Sequence, residues 1–556
     1  MYLLPLRAAQ VREALLAAHA AAQTCGALPA GPTPAFVVEP PREGAHGDLA
    51  SNLALVLASA CGLAPRLVAG RLAEQMPTSM IGDFERVDIA GPGFLNFSFR
   101  PGWLTPVIAE VLEAKAAYGR SERGAGRRVL VEFVSANPTG PLNVVNCRAA
   151  AFGDALVRSL RAVGYAAEAE YYVNDAGGQF RRLAQSLEAR LRQRRGEAVG
   201  IPDGGYPGEY LVAVAEAFAR AHGDAVLDQP PAVREEQLGR YAVRHILEQQ
   251  RADLARFRVH YDHFTHEADI RADGAPERVI AALRQRGRTV ERDGALWLVS
   301  TAGGDNDDRV LRKSNGELTY RVPDIAYHAR KFERGYDRLI DIYGPDHHGE
   351  VVAVSLALGW LGYPTDRLEV VITQVIRLVE AGREVKISKR AGAFVSMADF
   401  LDDIGVDAAR FFFLLRTADS HLDFDLALAR RQSQENPVYY VQYAHARICS
   451  ILKAAPGVPA TVPPLEGLLH PAEASLCRTL GLFPLELDAA AEGRAPHRLA
   501  IFARAVAERF HVFYAQCRVL TEDPVLRASR LALCRATQIV LGNTLDILGV
   551  SAPEQM

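Results

Sequence analysis

Apolar residues recur along this chain at two spacings, a period of two and a period near 3.6, and the changes between them divide it into three blocks. The first, residues 1–105, opens on an Ala/Leu-rich helix and crosses a proline-rich stretch from Pro32 to Pro41. A second apolar helix follows in HGDLASNLALVLAS (46–59), with Asp48 or Ser51 as its N-cap, and VDIAGPGFLNFSFR (87–100) alternates like a strand. In the second block, 106–415, VLVEFVS (129–135) reads as a buried strand and CRAAAFGDALVRSLRAVGY (147–165) as the helix after it. Further strands are predicted at YDRLIDIYG (336–344) and LEVVITQVIRLV (368–379), beyond a helical, arginine-rich insertion at about 180–300. Such a pattern gives a doubly wound parallel sheet, whose ligands bind outside the carboxyl ends of its strands. The third block, 416–556, is helical by period and broken by APGVPATVPPLEG (455–467); Asn436 and Pro437 supply a cap and a first-turn proline. The expected fold is multidomain α/β: an N-terminal α+β module, a doubly wound (Rossmann-like) domain with a helical insertion, and a C-terminal all-α bundle.

Hydrophobic residues make up 49% and charged residues 23%, enough apolar surface for several cores and too much for a disordered chain. A net charge of -3 gives no global attraction for nucleic acid, so any RNA contact has to come from local arginine patches. The seven cysteines contain no Cys-x-x-Cys pair, which argues against a zinc site or a redox couple, and no metal site is expected. No run of 18 apolar residues occurs, and Arg7 and Arg12 interrupt the N-terminal pattern in a way that a signal peptide does not. A cytoplasmic monomer without a membrane partner is expected.

Charge becomes informative in one loop. The chain has six lysines against 57 arginines, and two of the six, Lys386 and Lys389, lie within VKISKRAG (385–392). Compact ammonium groups on flexible stems suit a polyphosphate, although a solvated basic turn has the same composition. Near Asn146 a Pro/Gly-rich turn gives way to a helix, whose first amides would also face a phosphate.

Seven segments, in order along the chain, carry a resemblance: VEFVSANPTGPLNVVN (131–146), YYVNDAGGQ (171–179), TYRVPDIAYHA (319–329), GPDHHG (344–349), KISKRAG (386–392), ENPVYYVQYAHAR (435–447) and SAPEQM (551–556). Together they resemble the arginine–tRNA ligases of bacterial type, which are class I aminoacyl-tRNA synthetases. The resemblance implies ATP-dependent formation of arginyl-adenylate, with magnesium on the ATP phosphates, and transfer of arginine to the 3′ end of tRNA(Arg). It implies that Lys386, Ser388 and Lys389 match the family's Lys-Met-Ser-Lys loop, with Ile387 in place of methionine, and grip the departing pyrophosphate. Glu132, Asn137, Tyr320 and Asp324 would bind arginine, with Asp324 on the guanidinium. Gly140, Asn143, Asn146, Asp346 and His348 would line the ATP site. The N-terminal module would touch the outer corner of the tRNA, and Tyr443, Arg447, Tyr514 and Met556 would read its anticodon.

One departure bears on catalysis. The family's His-x-Gly-His signature reads Asn143-Val144-Val145-Asn146 here. Asparagine still donates a neutral hydrogen bond to phosphate but carries no charge, a difference on the order of 1 to 2 kcal/mol per contact. Val145 in place of glycine would crowd a base approaching the backbone. The chain therefore reads either as an active ligase with an asparagine version of the signature, or as a tRNA-binding paralogue with impaired activation. Lys386, Lys389 and Asp324, all present, favour the first.

Other clusters admit two readings each. Tyr440, Tyr443 and Arg447 share one helix face and read as bundle core or as a stacking surface for unpaired bases; Tyr514 is equally open. The arginines of 181–195 read as a solvated helix face or as an acceptor-stem contact. His260, His263 and His266 are spaced by three in a stretch of strand character, where they do not share a face.

Overall fold

The computed structural model describes residues 2–41, 47–77, 84–100, 102–345, 348–380, 382–385, 395–455 and 467–556, with the main chain alone for 348–350. Strands β1 (Val38–Glu39), β2 (Leu49–Ser51), β3 (Phe84–Ala90) and β4 (Phe94–Phe99) form an antiparallel sheet in the order β1-β2-β4-β3. Helices Leu3–Thr24, Leu53–Cys61 and Pro65–Glu74 close a separate core over it, around Leu15, Leu53 and Phe97. The N-cap of the second helix is Asn52, not Asp48 or Ser51. Asp48 instead accepts from the Phe99 amide at 2.8 Å and pairs with Arg478.

The next strands, β5 (Arg128–Phe133), β6 (Ala166–Val173) and β7 (His263–His266), are parallel neighbours. Between β6 and β7 the chain leaves the sheet for helices Gly177–Arg194, Tyr210–His222 and Pro231–Arg256, which bury Leu187, Val214 and Ile246 in a core of their own. Strands β8 (Thr289–Arg292), β9 (Ala295–Leu298) and β10 (Arg309–Arg312) make a small antiparallel sheet. After helix Arg321–Glu333 the chain returns as β11 (Arg338–Tyr343) and β12 (Leu368–Ile372), completing a parallel sheet of order β12-β11-β5-β6-β7.

Strand β5 lies at the middle of this sheet, and its run Val129, Leu130, Val131, Phe133 is buried on both faces, as a central parallel strand requires. The connections from β5 and β11 lead to opposite sides, which opens a crevice at their carboxyl ends. Glu132 and Asp341 are register partners across that boundary, two buried carboxylates side by side, and Glu170 is the partner of Glu132 on its other flank.

Residues 368–379 form two strands in different sheets rather than one. Thr373 turns the chain by donating to the Tyr343 carbonyl through both its amide and its hydroxyl, and β13 (Ile376–Glu380) then joins β14 (Arg383–Val385) and β15 (Leu422–Asp425). Beyond that short strand the chain is helical, with Pro437–Ala454, His497–Gln516 and Pro524–Leu548 the longest helices. Asn436 caps the first of these by accepting from the Val438 amide at 3.1 Å. The bundle is continuous with the core of the central sheet. Fully buried Arg410 ties the two together, donating to Asp154 on the helix after β5 and to the carbonyls of Phe257 and Leu548.

Candidate active site

Strand β5 ends in two consecutive non-glycine residues at positive φ, Val134 (69°) and Ser135 (39°). A β-branched residue in this region is strained, and such strain gathers at functional sites. Its result is local: the Ser135 hydroxyl turns back to donate to Glu132 at 2.7 Å and accepts from the Tyr172 amide at 3.1 Å. The following turn is held by the insertion. Gln250, 1% exposed, donates to the carbonyls of Asn137 and Gly140, and the Tyr210 hydroxyl donates to that of Thr139. A side chain at Gly140 would meet the Tyr210 ring at 3.3 Å.

Glu132, Asn137, Tyr320 and Asp324, separated by up to 192 positions in the chain, line one cavity of about 200 Å³ at the carboxyl ends of β5 and β11. Tyr320 caps helix Arg321–Glu333 and is 55% exposed, while Asp324 lies in its first turn. The Asn137 carboxamide has no partner among the described residues and faces the cavity. Glu132 is already engaged, accepting from Ser135 and from the Lys331 ammonium at 2.5 Å.

Behind these residues lies a buried charge network. Lys331 Nζ is 2.7 Å from Asp341 Oδ1, and its ammonium also sits 4.4 Å from the Tyr327 ring centre. His328 Nε2 is 2.8 Å from Asp341 Oδ2, and its Nδ1 is 2.9 Å from the Asp324 carbonyl and 3.1 Å from Asp324 Oδ1. Burial works against charge on Asp341, but Lys331 and His328 hold it well below the usual carboxylate range. Burial and Lys331 oppose charge on His328, and the carboxylates of Asp324 and Asp341 overcome them, raising its pKa to about 10. Glu132 is pushed up by burial, against the pull of Lys331. Glu267 also lines the cavity, bonded to Tyr172 at 3.0 Å and paired with Arg271 at 2.6 Å.

Sequence reading misses Glu267, His328, Lys331, Asp341 and Gln250. His328 and Lys331 follow Asp324 at helical spacing, which puts them on its face of the helix but does not separate a buried charge from a solvated one. Gln250 reaches the site from the last helix of the insertion and Glu267 from just beyond β7, and no local pattern marks them.

The helix after β5 is Val144–Ala162, beginning two residues before Asn146, and the altered signature is its cap. Asn143 Oδ1 accepts from the amides of Val145 at 2.9 Å and Asn146 at 3.2 Å, and Asn146 Oδ1 accepts from the Asn143 amide at 2.9 Å. Both side-chain oxygens are thus used inside the helix end, and both Nδ2 groups stay without a partner among the described residues. Val145 is 47% exposed at the second helical position. Lys386, Ser388, Lys389 and Asp346 lie outside the described residues, as does the side chain of His348, whose main chain begins helix His348–Leu361 beyond β11.

In the C-terminal bundle, Arg447 bonds the Tyr443 hydroxyl and lies 5.1 Å from the ring centres of both Tyr443 and Tyr514. These three form one surface cluster. Met556, 52% exposed, ends a tail that follows a different face of helix Pro437–Ala454, where His445 binds the Pro553 carbonyl at 2.8 Å. The histidines of β7 diverge: His263 binds Glu168 and His266 binds Asp175, each at 2.7 Å.

Three family models match the chain in succession: the arginyl tRNA synthetase N terminal domain over residues 9–99, the class I (R) tRNA synthetase catalytic domain over 107–413, and the DALR anticodon binding domain over 441–556. The arginine–tRNA ligase of Moorella thermoacetica is 47% identical over 548 residues, and that of Heliobacterium modesticaldum 44% over 557; each match covers 98% of both chains. The Thermus thermophilus arginyl-tRNA synthetase superposes with a TM-score of 0.76 at 26% identity, over 99% of this chain and all of that one. None of this supports the reading as a tRNA-binding paralogue with impaired activation: relatives similar over their full length are ligases, and the two asparagines build an ordered helix end. A doubly wound domain with its pocket at the switch of strand order, flanked by the family's own N-terminal and anticodon-binding domains, places the chain among the arginine–tRNA ligases of class I, enzymes that activate arginine with ATP and charge tRNA with it.

Proposed function

We propose that the cavity between β5 and β11 binds the arginine side chain, with Asp324 as the carboxylate that meets the guanidinium, Tyr320 closing over it, and Glu132 and Asn137 flanking the substrate. The observation that carries this reading is the convergence of four residues from distant segments on one cavity. With every group ionised, the carboxylates of Glu132, Asp324 and Asp341 face the cations of His328 and Lys331. One negative charge is left over, the complement of a single guanidinium. Glu267, which also lines the cavity, has its charge matched by Arg271.

ATP then lies along the start of helix Val144–Ala162, near Gly140, with Asp346 and His348 among its ligands. The free Nδ2 groups of Asn143 and Asn146 donate to phosphate oxygens, and the helix amides add a favourable field. The arginine carboxylate attacks the α-phosphate, a bond forms between them, and pyrophosphate leaves. No side-chain nucleophile is needed; Lys386, Ser388 and Lys389 hold the leaving group, and a magnesium ion carried on the ATP phosphates offsets their charge. Tyr443, Arg447, Tyr514 and Met556 contact the tRNA(Arg) anticodon. The working unit is a cytoplasmic monomer of three domains, bounded near residues 105 and 415.

Arginine-dependent exchange of pyrophosphate into ATP, with tRNA present, tests the pocket. Wild type is expected to respond to arginine alone among the amino acids, and Asp324→Asn to raise the arginine KM by on the order of 100-fold with little change in the ATP KM. An unchanged arginine KM would remove Asp324 from the pocket.

A further inference from the structure

The His328 ring is enclosed by acceptors. Its Nδ1 faces the carbonyl and carboxylate of Asp324, at 2.9 and 3.1 Å, and its Nε2 faces Asp341 at 2.8 Å. A neutral imidazole has one N–H and one lone pair, so it would set that lone pair against an oxygen on one side or the other. Asp341 has no proton to offer, because Lys331 sits 2.7 Å from its other oxygen. The hydroxyl of Tyr343 lies 3.4 Å from Nε2 and 3.3 Å from Asp341, too far to satisfy a bare ring nitrogen well. Two donors on the ring are required.

We infer that His328 is held as an imidazolium and serves as a positioning residue, its Nδ1–H fixing the Asp324 carboxylate in the orientation that meets the substrate guanidinium. The inference rests on the proposed role of Asp324. The groups facing the ring are Asp324, Tyr327 and Lys331 on its own helix, Asp341 and Tyr343 on β11, and Glu132 on β5. The ring is 2% exposed, so solvent does not supply the missing partner in either protonation state. The charge on His328 also balances Asp341, which would otherwise add a second negative charge beside the cavity. A pocket carrying that extra charge would hold its carboxylates further apart and bind arginine in a less defined pose.

The test has a kinetic and a spectroscopic part. In pyrophosphate exchange with tRNA, His328→Gln is expected to raise the arginine KM about tenfold while kcat changes less than about threefold and the tRNA KM is unchanged. Combined with Asp324→Asn it is expected to add little, since both changes remove one interaction. Fully additive effects would overturn the inference. Loss of KM sensitivity in Asp324→Asn alone would instead overturn the pocket assignment, so the two failures are distinguishable. In the wild-type enzyme, nitrogen-15 spectra of the ring, assigned by difference from His328→Gln, are expected to show both nitrogens protonated at pH 8. A neutral ring there would overturn it, and an arginine KM of the wild-type enzyme rising with an apparent pKa near 7 would do so even if the variant failed to fold.

Discussion

The amide of Met397 donates to the carbonyl of Leu142 at 2.8 Å, and beside it Asn143 and Ser396 form an isolated β-bridge. Leu142 and Asn143 lead into the asparagine cap; Ser396 and Met397 follow the lysine loop. The two halves of the proposed ATP site, some 250 residues apart in sequence, are therefore fastened main chain to main chain.

Removing that fastening should separate the halves without unfolding them. Met397 is the first residue of helix Met397–Ile404, a position where proline fits the backbone and lacks only the N–H. Its side chain is fully buried, so Met397→Ala is the control for lost packing. Met397→Pro is expected to lower kcat for pyrophosphate exchange on the order of tenfold beyond Met397→Ala, with tRNA binding by filter assay the same in both. Equal rates would mean that the loop is positioned by other contacts.

The asparagines have two tasks, and different substitutions part them. Asn143→Ala removes the cap and should cost about 1 kcal/mol in urea unfolding as well as weaken ATP binding. Asn143→Ser keeps an oxygen for the Val145 and Asn146 amides but has no Nδ2, so stability should stay within about 0.5 kcal/mol of wild type while the ATP KM rises severalfold. If ATP affinity survives in Asn143→Ser, the side-chain nitrogen does not touch phosphate.

Much of this architecture was legible in the sequence because it rests on periodicity. The buried run of β5, the helix after it, the insertion and the Asn436–Pro437 helix start all follow from spacing and cap chemistry. The Asp48 cap failed because its side-chain oxygens are drawn away to tertiary partners, the Phe99 amide and Arg478, while Ser51 does accept from the Leu53 amide at 3.2 Å but from the end of β2, one residue before the Asn52 cap position. Segment 368–379 failed because its apolar residues resume directly after Thr373 and Gln374, and only the contact with Tyr343 turns it. Four arginine-site candidates were reachable through motif resemblance. The network behind them was not, since Asp341 reads as one polar residue in a strand and Lys331 as a surface charge on a helix until β5 and β11 are brought side by side.

Lys331 is the sharpest case of that kind. It is fully buried and bonds both Glu132 and Asp341. Lys331→Met leaves two adjacent carboxylates without their cation, and breaking a buried pair in this way costs about 3 to 5 kcal/mol. Urea unfolding should report that loss, and adding Glu132→Gln should recover part of it. A loss below about 1 kcal/mol would mean that water reaches the pair.

In the bundle, Arg447 lies against the rings of both Tyr443 and Tyr514. Arg447→Ala should raise the tRNA KM for aminoacylation on the order of tenfold, leaving arginine and ATP KM values within about twofold. A rise for arginine instead would place the effect in the fold and not at the RNA.

The His328 charge also predicts a pH dependence of stability with a definite sign. Its folded pKa of about 10 lies above the value of 6.5 for an unperturbed histidine, so between those pH values the folded state holds a proton that the unfolded state has released. The stability contributed by the imidazolium is therefore complete below pH 6.5 and lost as pH rises through 10. His328→Gln has no such proton to lose. Urea unfolding of both proteins across this range should show wild-type stability falling more steeply with pH than that of the variant, the gap narrowing toward pH 10. The two proteins differ only at this side chain, so the difference between the curves reports its proton, and parallel curves would mean that His328 is neutral when folded.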